Sequence, residues 1–128
     1  MPHYYTHYNA NPRHKRVGDC TIRAISTALG EPWEDVYMDI AREGLRLNDM
    51  PDANHVWGAY LRERGFRRHL IPDDYIDHYT VEDFCADHPY GTYILALSGH
   101  VVAVINGHYY DTWDSGQEIP IYYWYRPD

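Results

Sequence analysis

The run "HVVAVINGHYYDTW", His100 to Trp113, decides how the chain folds. Two β-rich arms flank Asn106-Gly107. An Asn-Gly pair between apolar runs is the strongest short-range hairpin signal, because a two-residue turn needs positive φ at both central positions. Such a turn sets Ile105 opposite His108. Counting outward, Val102 faces Asp111 and His100 faces Trp113. Side chains alternate along a strand, so His100, Val102, Asp111 and Trp113 share one face, with His100 and Asp111 as diagonal neighbours. Asp114 faces Gly99 and points the other way. The register therefore selects Asp111 as the acid beside the histidine.

Around the hairpin, "TYILALS" (92–98) and "IYYWYR" (121–126) are further β-rich runs bounded by Gly and Pro. The C-terminal tyrosines alternate across their strand, a pattern of core packing with a second face free to line a binding surface. Upstream the periodicity is helical. Asp19 is placed to N-cap a first helix and Gly30 to stop it, with Ile22, Ile25 and Leu29 on its apolar stripe. "EPWEDVYMDIAREG" (31–44) predicts a second helix, with Pro32 in its first turn and Gly44 at its end. Trp33, Val36, Tyr37 and Ile40 face inward from it. Asp52 is placed to cap a third helix over 53–65, closed by Gly65, and Trp33 and Trp57 read as helix core. Residues 66–71 suit a short strand. In 80–88, Thr80 and Asp83 make a variant capping box for a fourth helix. Residues 1–17, with Pro2 and Pro12, predict an extended arm. Helices followed by an antiparallel sheet describe a single α+β domain over 1–128.

The bulk properties narrow the classes of function. A chain of 128 residues with 14 Tyr and 4 Trp can bury a core without staples. A net charge of −8 argues against nucleic acid as the main partner and suits a basic or neutral one. The basic runs at 13–16 and 62–69 read as solvated surface charge. No apolar run reaches the length of a membrane span, and the first residues lack the apolar segment of a signal peptide, so the expectation is a cytoplasmic protein. Cys20 and Cys85 form no CxxC pair, and a reducing compartment keeps them free. His3, His7 and His14 cluster in the arm at spacings that match no metal motif, so no metal or other cofactor is expected.

Cys85 sits mid-helix beside Phe84 and reads as a small buried hydrophobe. Cys20 is different. Directly after Asp19 it would be the first helical residue, where the helix dipole favours a thiolate. Asp19 opposes this unless capping or Arg23 occupies its carboxylate. If the hairpin meets this helix, His100 can hold the thiol proton and Asp111 can orient the ring, which is the division of labour of a nucleophile–base–acid triad.

Cysteine heading the first helix, histidine opening a strand and an acid on the returning strand is the papain-like chain order. "YYDTW" resembles the Asn-Ser-Trp segment of papain-type peptidases. Over nearly its full length the chain resembles small papain-fold proteins of bacteriophage and gut-bacterial genomes, through "NPRHKRVGDCTIRA", "GTYILALSGHVVAVINGHYYDTWDS" and the aromatic end. More loosely it is similar to the peptidase domain of bacteriocin-processing transporters. The resemblance implies a papain-like cysteine peptidase fold and a Cys20–His100–Asp111 site acting on a peptide or protein. Papain-type enzymes place a Gln six residues before the nucleophile as an oxyanion donor. Here that residue is His14, with Asn11 and the Cys20 amide as other candidates, and Trp113 at the cleft. The departure keeps open a non-catalytic binding module that holds a host protein or small ligand, and acyl transfer through the same thioester.

Overall fold

The computed structural model describes residues 3–71 and 78–127. Among them are four helices, α1 (Cys20–Leu29), α2 (Trp33–Leu47), α3 (Asn54–Glu63) and α4 (Val81–Asp87). The strands are β1 (Tyr5–His7), β2 (Arg67–Leu70), β3 (Thr92–Leu97), β4 (His100–Ile105), β5 (His108–Asp111) and β6 (Pro120–Arg126). They form one sheet in the order β1-β5-β4-β3-β6-β2. The fold is α+β, but the sheet is mixed where an antiparallel one was expected: β1 runs parallel to β5, pairing Tyr5 with Tyr109 and His7 with Asp111. The arm is thus extended but not free, since three of its residues add an edge strand. Pro2 lies outside the described residues.

The Asn-Gly turn forms as expected. Asn106 and Gly107 have φ of 48° and 79°, and Ile105 pairs with His108. The β4–β5 ladder ends at Ala103–Tyr110, so the expected facing pairs Val102–Asp111 and His100–Trp113 are not ladder pairs. Beyond Tyr110 the strand is held instead by β1.

Both faces of the sheet are buried, which is why β3 and β4 read as nearly continuous apolar runs. Ile94, Ala96, Val101 and Ala103 pack under α1, α2 and α3 against Ile25, Val36, Ile40, Trp57 and Leu61. Leu95, Val102, Val104 and Tyr109 pack on the other side with Val81, Phe84 and Cys85 of α4. The buried stripe of α1 is Thr21, Ala24, Ile25 and Ala28, while Ile22 and Leu29 are only partly covered. Small side chains at Ala24 and Ala28 let the helix lie close to the sheet, which places its first residue at the end of β4. Both faces of β6 are packed, Trp124 on one and Tyr123 and Tyr125 on the other.

Several helix boundaries differ from expectation, each for a local reason. Pro32 is the N-cap of α2, not part of its first turn. Gly44 does not end α2: Asn48, at φ 54°, takes the left-handed cap. Gly44 instead admits the returning chain, since a Cβ there would lie 2.8 Å from the Asp49 carbonyl oxygen. Ala53, not Asp52, precedes α3. Tyr37 is exposed and Trp33 only half-buried; the two rings meet at a tilt, their centroids 5.2 Å apart, leaving Trp57 as the helix-core tryptophan. The α4 capping box is present, the Thr80 amide donating to Asp83 Oδ2 at 3.0 Å and the Asp83 amide to Thr80 Oγ1 at 3.2 Å.

Candidate active site

Cys20 is the first residue of α1, half-buried at the helix N-terminus. The first-turn amides of a helix have no intrahelical acceptor, so they favour negative charge there. Asp19 occupies the N-cap position, yet its side chain makes no capping bond. Its carboxylate pairs with Arg23 and accepts from Trp33 Nε1 at 3.0 Å and Asn11 Nδ2 at 3.3 Å. The acid next to the thiol is thereby paired with a cation from α1 itself and hydrogen-bonded by donors from the preceding arm and from α2.

The hairpin brings the other two groups. His100 opens β4, and its Nε2 lies 2.6 Å from Asp111 Oδ2. A carboxylate only accepts, so Nε2 carries the proton and Nδ1 is left for the thiol. Cys20 and His100 line the same cleft, and the His100 ring and the Val101 amide both favour the charged form of the thiol. Asp111 is 3% exposed and fully engaged. Ser115 Oγ donates to its Oδ2 at 2.7 Å, and the Thr112 amide to Oδ1 at 2.8 Å. Arg23 approaches the same carboxylate at 3.9 Å, so one guanidinium links Asp19 to Asp111. The Asp111 carbonyl accepts from the Tyr8 amide at 3.0 Å and Tyr5 Oη at 3.2 Å, which ties the site to β1.

These contacts set the proton affinities. Burial alone would push the Cys20 thiol up, but the hydrogen bond and charge of His100, the Val101 amide and Arg23 bring it below the ordinary value. For His100, burial opposes the charged form. Its hydrogen bonds to Asp111 and Cys20, and their negative charge, raise it to about 9. Both directions favour the thiolate–imidazolium pair over the neutral thiol and ring.

A cleft of about 720 Å³ opens over Cys20 and His100. Trp113 forms one wall, its ring 5.0 Å from that of His100. His14 lines the cleft from a turn in which its own φ is 51° and its amide donates to the Asn11 carbonyl at 2.9 Å. Asn11 is 5% exposed and sits beneath, with one amide hydrogen on Asp19 and its Oδ1 accepting from the Arg13 amide. Of the side-chain oxyanion candidates, His14 faces the cleft and Asn11 braces the loop that carries it.

Asp114, set aside by the hairpin register, is turned away and accepts from Tyr109 Oη and the Gly116 amide. Sequence reasoning missed Ser115 and the Val101 amide. Ser115 lies four residues past Asp111 in the turn "DTWDS", a spacing that could have marked it. A backbone amide leaves no such signal. Among the described residues no three His, Cys, Asp or Glu side chains gather so as to hold a metal ion, and no helix is long and apolar enough to cross a membrane. No family model, curated protein or solved structure matches the chain.

Proposed function

We propose that the chain is a papain-like cysteine hydrolase that cleaves an amide or isopeptide bond in a peptide or protein. The observation that carries the reading is that Cys20, at a helix N-terminus, shares an open cleft with His100, whose ring is held by Asp111 at 2.6 Å. The Cys20 thiolate adds to the carbonyl carbon, and the oxyanion is met by the Cys20 amide with His14. His100 gives its Nδ1 proton to the leaving nitrogen as the carbon–nitrogen bond breaks, leaving a thioester on Cys20. Neutral His100 then takes a proton from water. The hydroxide attacks the thioester, releasing the carboxylic acid product and restoring the pair. Asp111 holds the ring and balances its charge.

His14, standing where papain-type enzymes have Gln, supports the second reading: a binding module that uses the same cleft without turnover. The two separate on thiol reactivity. Alkylation of Cys20 by iodoacetamide is followed against pH, with mass spectrometry assigning the site and Cys85 as internal reference. The hydrolase reading expects fast labelling well below pH 8, lost in His100→Ala. Labelling at the rate of a free thiol, indifferent to His100, would sink it and leave the binding module.

A further inference from the structure

The cleft over Cys20 carries charge of the opposite sign to the protein. The chain has 19 Asp and Glu against 11 Lys and Arg. Yet Lys15, Arg16 and Arg23 line the cleft and no carboxylate does. Three acids adjoin cleft residues in the sequence. Asp19 and Asp111 are buried beneath the cleft, bonded to Arg23 and His100, and Asp114 is turned to Tyr109. Arg23 is spent on Asp19 and Asp111. Lys15 and Arg16 are exposed and form no ion pair among the described residues, so their charge is available to a ligand. Lys15 is also the only lysine in the chain. Solvated surface charge, the reading its sequence suggested, does not account for a basic pair at the rim of the one cleft that holds the nucleophile.

We infer that this site selects peptide substrates with an acidic side chain beside the scissile bond, Lys15 and Arg16 supplying the recognition. The inference rests on the hydrolase reading for the reaction but not for the charge preference. A cleft lined by one sign of charge concentrates ligands of the other sign and speeds their encounter, the more so at low salt. The acidic remainder of the surface repels such peptides elsewhere and leaves the cleft as the favourable approach. The molecule's net charge, which by itself suits a basic partner, is therefore a poor guide to what enters the site.

The test uses two short peptidyl vinyl sulfones that differ only in Glu or Gln next to the electrophile. Their rates of reaction at Cys20 are compared with those at N-acetylcysteine. The rate with the neutral probe reports whether Cys20 is activated, and so tests the hydrolase reading alone. The Glu-to-Gln rate ratio, relative to the free thiol, tests charge selection. It is expected to be about tenfold in the wild type and to shrink in 1 M salt. The imidazolium of His100 also attracts anions, so the deciding variant is Lys15→Gln with Arg16→Gln. A threefold or greater fall in the ratio, with the Gln probe unchanged, supports the inference. A smaller fall, or a wild-type ratio no higher than the free thiol's, overturns it. Both side chains are exposed and unpaired, so the variant is expected to fold, and the charge reversal Lys15→Glu with Arg16→Glu should invert the preference.

Discussion

The two cysteines occupy helices on opposite faces of the same sheet, and their surroundings drive them in opposite directions. Cys20 heads α1, where a histidine, a backbone amide and an arginine together outweigh burial and lower its pKa. Cys85 lies inside α4, 1% exposed among Phe84, Val104 and Tyr109. Burial, with the charge of Glu82 adding to it, pushes that thiol up to about 12. Burial opposes the thiolate at both. What differs is whether compensating partners are present, and only Cys20, at an open helix end beside a strand terminus, has room for them.

The largest expected effect is the contrast itself. At pH 7 the native protein should alkylate at Cys20 at least about a thousandfold faster than at Cys85, read by peptide mapping after timed quenching. Comparable rates would erase the distinction. Phe84→Ala should narrow the gap from the inert side. Removing a ring 1% exposed costs about 3–5 kcal/mol, measurable by urea unfolding, and Cys85 should become labellable while Cys20 is unchanged.

Asp111→Asn should narrow it from the reactive side. Without the carboxylate, His100 should titrate below about 9, so the thiolate's counter-charge weakens. Cys20 labelling at pH 6.5 should fall about thirtyfold and return only as pH rises toward the ordinary thiol range. The His100 midpoint, followed by imidazole proton shifts, should drop in parallel. A midpoint still near 9 would show that Asp111 is not what holds the proton on the ring. The wild type carries the opposite signature. On the hydrolase reading, turnover should rise as Cys20 ionises and fall as pH passes about 9, where His100 loses the proton that reading has it donate. The smallest effect is expected of Ser115→Ala. The Thr112 amide still orients Asp111, so Cys20 labelling should slow only about twofold. A loss as large as that of Asp111→Asn would mean that Ser115 does more than steady the carboxylate.

The site was legible in sequence as far as local rules extend. Asn106-Gly107 set the hairpin register, and alternation from it pointed to Asp111, although the ladder that alternation assumed stops at Ala103–Tyr110. Gly30 marked the end of α1 and Thr80 the start of α4, since turn and cap chemistry involve residues only a few positions apart. Where two local signals competed, reading was less sure. Gly44 was a credible stop until Asn48 took the cap and the chain at 49–51 folded back over the glycine. Tyr37 matched the inward period of α2 but faces solvent.

Composition, periodicity and turn chemistry thus determined an α+β chain, a cysteine leading its first helix, and a histidine and an acid on one hairpin. Only the tertiary structure decided that these meet. It added β1 as a parallel edge strand, bound Asp19 to Trp33 and Asn11, and brought Cys20 and His100 to one cleft. It also gathered Lys15 and Arg16 around the cleft. The reason is physical. A cap or a turn closes within one stretch of chain and leaves its mark in neighbouring residues. A thiol's proton affinity is instead set by partners about eighty positions away, brought close by packing α1 on β4.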